Sequence, residues 1–382
     1  MRVIHVISSL DKGGAESQLV YLIQEQIKQN LEINVCYLRG NSYWVKLLES
    51  KNVKCHFLDY SKTLNIFSLL KSIIKMLLII SKFKPNIIHA HLNPSEILMF
   101  FVSLFYKKYT YIISKHLDSF IISGSDNNKS NFFYSLFEDL ILIRSDKIIC
   151  ISKSVFNFFK INTFITHKKL KHIYYGIDYK NYQNQNNRKS KITEFYKKYK
   201  ISKKLFIVGI IARLVPQKNI PLMLKSYKTF KEKYHLNSKL IIVGDGYLNK
   251  KLKKVSKDMK ISDEIIWIKY HEENKILFDI FDVFCLTSNY EGLGLVLLEA
   301  LSSGTPIITV NKSAMQEIIK NNKNGFLIEP NDYERMANLL FNVSLNSSKI
   351  KMMSRSGKKL VKKKFNLSTM AHKVFKIYKN NY

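Results

Sequence analysis

The stretch that constrains the fold most strongly is Glu291-Gly-Leu-Gly-Leu-Val-Leu-Leu-Glu299-Ala-Leu-Ser-Ser-Gly304-Thr-Pro306. It lies between two apolar, strand-like runs at residues 283–288 and 307–310. We therefore predict an apolar helix that begins near Glu291 and ends in the Gly-Thr-Pro turn. On such a helix Glu291 and Glu299 would lie on nearly the same face, about 12 Å apart along the axis.

Two glycines, Gly292 and Gly294, lie where the first strand would become this helix. Free N–H groups and the positive end of the helix dipole attract anions at such a position. A carboxylate beside an anion site fits a ligand with both phosphate and hydroxyl groups, such as a nucleotide sugar. The alternative is that Glu291 only complements the helix dipole and Glu299 lies on a solvated face.

The composition of the chain indicates two domains and an acidic partner. A chain of 382 residues is longer than one core usually sustains. The net charge of +33 favours a phosphate-rich substrate or an anionic membrane surface. The base composition of an AT-rich genome, which favours lysine over arginine, would explain the same charge. No nucleic-acid-binding motif accompanies the basic residues, so we predict no nucleic-acid partner.

The cysteines and the hydropathy pattern favour a cytoplasmic protein. Each cysteine lies in a strand-like run and none forms a C-x-x-C pair, as expected of buried thiols in a reducing compartment: Cys36, Cys55, Cys150 and Cys285. The chain begins directly with a strand-like run and has no signal-peptide pattern. We expect a peripheral location on the inner face of the cell membrane.

Two segments bear on that membrane location. Lys71 and Lys75 interrupt the apolar segment 64–80, which is typical of a basic amphipathic helix. This helix either lies on a membrane or packs against the sheet, and the sequence leaves both open. A second, aromatic segment spans residues 131–137.

Short β-branched runs alternate with longer helical patterns, which predicts an α/β fold with parallel sheets. A first series of predicted strands covers residues 3–8, 33–38, 53–58, 86–91, 110–115, 147–152 and 172–177. A second series covers residues 205–212, 240–244, 265–270, 283–288 and 307–310. The polar segment 178–204 between them is the predicted linker, with a helix near 192–199. The chain after Pro330 is predicted to be helical.

Open α/β sheets bind ligands at the carboxyl ends of their strands, so residues just after strands are candidates for a site. Arg213 follows a strand directly, and Lys218 lies in the next turn; together they suit a diphosphate. Other candidates are the glycine turns Gly13-Gly14 and Gly244-Asp-Gly246, and His116 at a strand end. Each of these turns could equally be structural.

A histidine pair at His89 and His91 could bind a metal ion, since the two side chains lie on one face of a strand. We find no carboxylate or cysteine cluster in the sequence to complete a ligand set. We therefore predict neither a metal site nor a cofactor.

These elements together resemble the retaining GT-B glycosyltransferases of family 4. The resemblance runs nearly the whole length of the chain, in order: Gly13-Gly14-Ala15-Glu16, His116, Ser152, Tyr174-Tyr175-Gly176-Ile177-Asp178, Arg213 to Lys218, Gly244-Asp245-Gly246, Glu291 and Glu299 with Gly304 and Pro306, and Asn324-Gly325-Phe326-Leu327. It implies two Rossmann-like domains, residues 1–180 and 181–365, whose parallel sheets face each other across a cleft. The final helix, about residues 366–382, would pack back on the first domain.

The resemblance also implies roles for the site residues. Arg213 and Lys218 would neutralise the leaving diphosphate of a nucleotide-diphosphate sugar. Glu291 and the backbone at Gly292, Gly294 and Leu295 would hold the donor sugar and phosphate, and Glu299 would bind the ribose hydroxyls. His116 and the Gly13-Gly14 loop would approach the sugar and acceptor from the first domain. The Gly244–Gly246 turn, from its position at a strand end, either passes beneath a nucleotide base or only ends the strand.

Several positions depart from the family pattern and bear on the identity of the donor. They are Ala212 and Asn219 at usual glycines, Tyr175 at a usual asparagine, Leu293 at a common phenylalanine, and a loop at 312–317 without glycines. The sequence contains no Asp-x-Asp metal clamp after a strand.

We expect metal-independent transfer to a glycan, or to a lipid-linked acceptor, in bacterial surface polysaccharide synthesis. The alternatives are a catalytically inactive GT-B scaffold at the membrane and a sugar-nucleotide epimerase or hydrolase.

Overall fold

The computed structural model describes residues 1–60, 66–119, 128–183, 188–271, 273–345 and 347–382, with side chains described for all of these except 128–134 and 347. The side chains of 131–134 in the aromatic segment, and residues 184–187 of the predicted linker, thus lie outside the described part. The chain forms two compact units. Unit 1 comprises Met1–Gly176 and Leu367–Tyr382, and unit 2 comprises Ile177–Asn366.

Unit 1 is built on a seven-stranded parallel sheet. Its strands are β1 (Arg2–Ser9), β2 (Glu32–Arg39), β3 (Lys54–Phe57), β4 (Ile87–His91), β5 (Thr110–Lys115), β6 (Lys147–Cys150) and β7 (Leu170–His172), in the order β3-β2-β1-β4-β5-β6-β7. Its helices are α1 (Gly14–Lys28), α2 (Val45–Glu49), α3 (Ile66–Phe83), α4 (Asn93–Phe105), α5 (Asn128–Arg144) and α6 (Lys153–Asn162).

Unit 2 is built on a six-stranded parallel sheet. Its strands are β8 (Phe206–Ile211), β9 (Ser238–Val243), β10 (Ile265–Ile268), β11 (Val283–Leu286), β12 (Ile307–Val310) and β13 (Phe326–Ile328), in the order β10-β9-β8-β11-β12-β13. Its helices are α7 (Lys180–Gln183), α8 (Lys189–Lys198), α9 (Ile220–Tyr234), α10 (Asn249–Asp258), α11 (Asn274–Ile280), α12 (Leu295–Ser303), α13 (Met315–Ile318), α14 (Tyr333–Leu345) and α15 (Ser347–Lys364).

Both sheets have the doubly wound arrangement that the strand pattern predicts. The central strands are buried on both faces, because their near-continuous valine and isoleucine runs are covered by helices on each side. In each sheet the strand order reverses once, between β1 and β4 in unit 1 and between β8 and β11 in unit 2. A crevice opens at the carboxyl ends of the strands at such a reversal, which is where α/β folds bind ligands.

The chain returns to unit 1 through its last helix, α16 (Leu367–Lys379), which packs against α1. The helix buries Met370, Ala371 and Val374 in the core of the unit. Its Tyr378 is also buried, and the hydroxyl group joins His89 Nδ1 at 2.6 Å and accepts a hydrogen bond from Gln26 Nε2 at 3.4 Å. A residue near the end of the chain therefore completes the core around β1 and β4.

Several sequence-based element predictions need correction. The strand predicted at 172–177 is displaced, since β7 ends at His172 after pairing with β6, and Ile177 instead forms a bridge with Asn366. The short strand β13 was missed. The predicted linker contains two helices, α7 and α8, and the second begins three residues before the predicted one.

The basic segment 64–80 is helical where the structure describes it, within α3. One face of α3 is buried at Ile73, Met76 and Ile80, so packing against the rest of unit 1 is confirmed for that face. Among the described residues, no helix has the length and apolar character needed to cross a bilayer.

We expect Tyr378→Phe to destabilise unit 1 by about 1–3 kcal/mol, because it removes a hydroxyl from two buried hydrogen-bonding partners. Urea unfolding followed by circular dichroism would measure the change. Tyr382→Phe, at an exposed tyrosine three residues past the end of α16, is the matched control and should unfold like the parent chain. Equal midpoints for all three proteins would contradict the role given to Tyr378.

Candidate active site

The strand-order reversal of unit 2 brings two turns together at the carboxyl edge of the sheet. Arg213 and Lys218 follow β8, and residues 287–294 follow β11, the neighbouring strand. Two hydrogen bonds to carbonyl groups join the turns. The Asn289 N–H donates to the Gln217 carbonyl at 2.8 Å, and the Thr287 hydroxyl donates to the Lys218 carbonyl at 2.9 Å. The two turns are thereby fixed relative to each other.

An ion pair lies between these turns. Lys218 Nζ is 2.5 Å from Glu291 Oε1, and the Ser288 hydroxyl donates to the same oxygen at 2.6 Å. The lysine and glutamate side chains are only 14% and 10% exposed. A partly buried, charge-assisted contact of this kind fixes both side chains more firmly than a surface pair would. Lys218 and Glu291 are 73 positions apart in the sequence, and both were predicted to belong to the site; the structure brings them into contact.

Arg213 is exposed at the end of the same β8 turn and forms no ion pair with a described residue. The turn therefore carries one paired cation, Lys218, and one cation open to solvent. Asn219 closes the turn in the left-handed conformation, with φ at 44°. Asparagine tolerates this conformation better than most residues, which explains how it can stand at a usual glycine position.

The glycines after β9 pack against the backbone of the Arg213 turn. Gly244 has φ at 145°, and a Cβ added there would lie 1.9 Å from the Ala212 carbonyl oxygen. A Cβ on Gly246 would lie 2.4 Å from the Leu214 carbonyl oxygen. The absence of a Cβ at both glycines lets the turn after β9 pack closely against the backbone at residues 212–214. Their part in donor binding stays a prediction.

Helix α12 starts later than the sequence suggested. Gly294 is its N-cap, with φ at 78°, and the helix begins at Leu295. The prediction that Glu291 and Glu299 share one helix face is therefore wrong, because Glu291 precedes the helix. The left-handed conformation of Gly294 separates them: Glu291 is held in the turn by Lys218, and only Glu299 projects from the helix. Gly292 and Leu293 are buried in the intervening turn.

Glu299 accepts hydrogen bonds from the side chains of Tyr182 and Asn274. Burial raises the pKa of Glu299 to about 7, and the two hydrogen bonds oppose this shift. Tyr182 lies in α7, on the polar segment that the sequence analysis treated as a linker, and α7 packs against α12. Sequence reasoning missed both partners, because neither belongs to a motif.

The segment that carries Tyr182 is anchored by Arg188. This buried guanidinium lies 2.9 Å from Asp279 Oδ2 and donates to the Tyr182 carbonyl at 3.0 Å and the Lys275 carbonyl at 3.1 Å. Both Asp279 and Lys275 belong to α11. The segment is therefore fixed to α11 of unit 2 rather than forming a free connection.

In unit 1, the predicted Gly13-Gly14 turn lies between β1 and α1, at the strand-order reversal of that sheet. Gly13 is the N-cap of α1, and a Cβ there would lie 2.1 Å from Glu16 Oε2. The Ser9 hydroxyl donates to Glu16 Oε1 at 2.9 Å. The missing Cβ therefore lets the Glu16 carboxylate fold back over the turn.

His116 follows β5, and its ring lies edge-on to the ring of Tyr175 at a centroid distance of 5.4 Å. Its Nε2 atom is buried without a hydrogen-bond partner among the described residues. Burial, with a smaller effect of the Lys115 charge, lowers the pKa of His116 to about 3. The imidazole is therefore neutral at physiological pH and has unused hydrogen-bonding capacity.

The pair His89 and His91 has a third neighbour, His5 on β1, which the sequence analysis did not associate with it. One ring nitrogen from each of the three histidines lies within 4.8 Å of the others. These nitrogens are already engaged: His5 Nε2 donates to Gln26 Oε1 at 2.8 Å, and His5 Nδ1 is 3.1 Å from His91 Nε2. The two nitrogens of His89 bond the hydroxyls of Tyr378 and Ser114. The three rings form a hydrogen-bonded core cluster.

Comparison with known proteins identifies the class of this fold and site. The solved structure of Anabaena Alr3699/HepE in complex with UDP and glucose superposes with a TM-score of 0.84 at 17% identity, covering 98% of each chain. The capsular polysaccharide biosynthesis glycosyltransferase CapM of Staphylococcus aureus is 23% identical over 362 residues, 91% of each chain. The protein is a glycosyltransferase of GT-B fold.

Two family profiles match consecutive parts of the chain. The profile described as Glycosyltransferase Family 4 matches residues 12–181, and that of Glycosyl transferases group 1 matches residues 191–360. The chain belongs to the group 1 glycosyltransferases of family 4. It is also 24% identical over 322 residues to an Escherichia coli UDP-Gal:alpha-D-GlcNAc-diphosphoundecaprenol alpha-1,3-galactosyltransferase, covering 83% of this chain and 81% of that one.

The histidine cluster predicts an acid-dependent loss of stability. Burial lowers the pKa of His5 to about 4, so the folded protein keeps this ring neutral while the unfolded chain binds a proton below about pH 6.5. The stability linked to His5 is therefore present above about pH 6.5 and is lost as the pH falls toward 4. His5→Gln should reduce the slope of unfolding free energy against pH in this range by up to about 1.4 kcal/mol per pH unit.

Denaturant unfolding at a series of pH values measures that slope. His372→Gln, at an exposed histidine on α16, is the matched control and should leave the slope unchanged. A parent-like slope in His5→Gln would contradict the assignment of a neutral His5.

Proposed function

We propose that the protein is a retaining, metal-independent glycosyltransferase that takes its sugar from a nucleotide-diphosphate sugar. The observation that carries this proposal is the Lys218–Glu291 pair, which lies beside Arg213 and precedes α12 at the strand-order reversal of unit 2. This arrangement combines cations for a diphosphate with a carboxylate for hydroxyl groups. The Anabaena protein with bound UDP and glucose supports the choice of donor class.

Cleavage of the donor leaves positive charge on the anomeric carbon and negative charge on the departing diphosphate. Arg213, Lys218 and the N–H groups at the start of α12 would stabilise the diphosphate charge, since preorganised cations and dipoles act most strongly on charge that develops during reaction. Glu291 would hold Lys218 in position through Oε1. Its Oε2, which bonds no described side chain, would accept a hydrogen bond from a donor-sugar hydroxyl.

Retention of configuration follows if the acceptor hydroxyl attacks from the face that the diphosphate leaves. In that step the anomeric C–O bond to phosphate breaks, the bond to the acceptor oxygen forms, and the departing phosphate oxygen takes the acceptor proton. The neutral His116 and the Gly13-Gly14 turn of unit 1 would contact the sugar and acceptor. Because His116 is neutral, its role would be hydrogen bonding rather than charge stabilisation.

The acceptor we propose is a lipid-linked glycan of bacterial surface polysaccharide synthesis, at the cytoplasmic face of the cell membrane. Two similarities support this choice. The Escherichia coli relative is named for a diphosphoundecaprenol-linked acceptor, and the Staphylococcus aureus relative for capsular polysaccharide. The charge of +33 is compatible with an anionic membrane.

Calorimetric titration with UDP, GDP, ADP and their common sugar conjugates tests the donor site. We expect one nucleotide series to bind, and Glu299→Ala to weaken it roughly 10–100-fold, the loss of a charge-assisted bond to ribose hydroxyls. Glu334→Ala, at an exposed glutamate of unit 2, is the matched control. No binding of any nucleotide by the folded protein would exclude this transferase and favour the inactive scaffold.

Glu299 also predicts the pH dependence of donor binding. With its pKa raised to about 7, the carboxylate is ionised at pH 8 and largely protonated at pH 6. A carboxylate accepts ribose O–H bonds better than the acid does, so affinity should fall about tenfold over this range. Glu299→Gln should remove this dependence, and titration of the same nucleotide with both proteins cancels the ionisation of its phosphates.

Tyr182→Phe extends the same measurement. The Tyr182 hydrogen bond lowers the pKa of Glu299 against the effect of burial, so its loss should move the affinity midpoint to higher pH. A midpoint that stays in place would show that the Tyr182 contact only packs α7 against α12.

A further inference from the structure

Unit 1 exposes large apolar side chains on one face of its sheet. Helix α3 connects β3 to β4, and α4, α5 and α6 connect each following strand to the next, up to β7. All four connections cross the sheet in the same direction. Right-handed crossovers therefore place these four helices on one face and α1 and α2 on the other. The apolar side chains exposed on the first set are Ile66, Phe67, Leu70, Ile74, Leu78, Leu104, Phe105, Leu136, Leu140, Ile143 and Ile161. We call this surface the α3–α6 face.

The exposed stripe on α3 is continuous. Ile66, Leu70, Ile74 and Leu78 follow one another at four-residue intervals, which places them along one side of the helix over about 18 Å. The opposite side of α3 is buried through Ile73 and other residues. The helix thus has two apolar sides, and contacts with the described residues of unit 1 bury one of them.

A second apolar area lies where α4 and α6 end, near the amino edge of the sheet. Phe105 is 71% exposed, and Phe164, just after α6, is 88% exposed. A groove of about 320 Å³ between α5 and the end of α6 is lined by Leu136, Ile161 and Phe164, together with Ser135, Asn162 and Thr163. Its walls are mostly hydrocarbon, so it suits an acyl chain rather than a polar ligand.

The charges at this face that have no ion-pair partner among the described residues are positive. Exposed lysines border the apolar side chains, and none of the following forms an ion pair with a described residue: Lys82, Lys84, Lys108, Lys160 and Lys168. The sequences of α3 and of residues 153–171 contain no acidic residue. Among the described residues, the nearby acids are buried, as are Glu138 and Asp139, or paired, as are Asp146 with Lys107 and Asp59 with Lys71.

We propose that the α3–α6 face docks on an anionic lipid bilayer, with the α3 stripe and Phe105 and Phe164 inserted among the lipids. The lysines would lie at the level of the phosphate groups, where each adds electrostatic attraction. This inference deepens the proposed function, because a lipid-linked acceptor requires the enzyme to work at a membrane surface. It assigns that contact to one defined face of unit 1.

Charge complementarity selects the bilayer over a second copy of the chain. Each copy of the chain has a net charge of +33, and two copies that met through this face would bring their lysine-bordered surfaces together. Like charges repel at such a contact, whereas anionic lipid neutralises them. An apolar surface bordered by one sign of charge is the pattern of interfacial amphipathic segments.

Co-sedimentation of the full chain with lipid vesicles tests the proposal. We expect binding to vesicles of phosphatidylcholine with 30% phosphatidylglycerol, and at least about tenfold weaker binding to phosphatidylcholine alone, with the difference shrinking as salt is raised. The double substitution Ile74→Glu with Leu78→Glu should weaken binding to the anionic vesicles at least about tenfold. Lys82→Gln with Lys84→Gln and Lys108→Gln should do the same.

Matched variants in unit 2 provide the controls. Leu345→Glu with Met352→Glu alters two exposed apolar residues, and Lys250→Gln with Lys254→Gln and Lys257→Gln removes three exposed lysines. Neither set should change vesicle binding. Vesicle binding that falls equally in the unit 2 variants would overturn the assignment to the α3–α6 face and leave only a general charge effect.

Nucleotide binding measured on the same variants separates this proposal from the proposed function. Variants of the α3–α6 face should bind the nucleotide like the parent chain, because the nucleotide site is proposed for unit 2. Circular dichroism and a parent-like urea midpoint show that unit 1 of these variants is folded. A parent chain that binds nucleotide but ignores anionic vesicles would overturn the docking proposal alone. Concentration-dependent dimers that dissociate in Ile74→Glu with Leu78→Glu, without vesicle binding, would overturn it in favour of self-association.

Discussion

The ion pair between Lys218 and Glu291 joins the two turns that form the candidate site of unit 2. Lys218 belongs to the turn after β8 and Glu291 to the turn after β11, and these strands are neighbours only because the strand order reverses between them. The strand-order reversal brings the two turns together, and the ion pair then holds the charges of Lys218 and Glu291 in fixed positions. The surrounding contacts serve the same end: Ser288 bonds the same carboxylate oxygen, and Gly244 and Gly246 let the turn after β9 support the backbone near Arg213.

The carboxylates of this site have different environments and hence different properties. Glu291 is compensated by a cation at hydrogen-bond distance. The hydrogen-bonding partners of Glu299 among the described residues, Tyr182 and Asn274, are neutral, and burial raises the pKa of Glu299. The two glutamates of one motif thus differ in the residues that contact them. The contacts of Glu299 come from α7 and α11, which lie outside the motif.

Much of the fold could be predicted from the sequence, because the central strands are continuous β-branched runs whose burial on both faces leaves little ambiguity. The motif after β11 and the Arg213–Lys218 turn were also recognisable, since each follows such a strand. The start of α12 could not be predicted, because the apolar run after Glu291 is typical of a helix. The left-handed conformation of Gly294, which delays the helix to Leu295, is visible only in the structure. Tyr182, Asn274 and His5 were missed because their roles arise from contacts between distant segments, which no local pattern records.

The docking of α16 on α1 has a consequence for how the protein is made. Unit 1 receives most of its sequence first, yet residues such as Val374 and Tyr378 complete its core only after all of unit 2 has been synthesised. Until α16 emerges, the surface of α1 that it covers is exposed and the hydroxyl partner of His89 is missing, while the second unit is synthesised. The unit that is begun first is therefore the unit whose core is completed last.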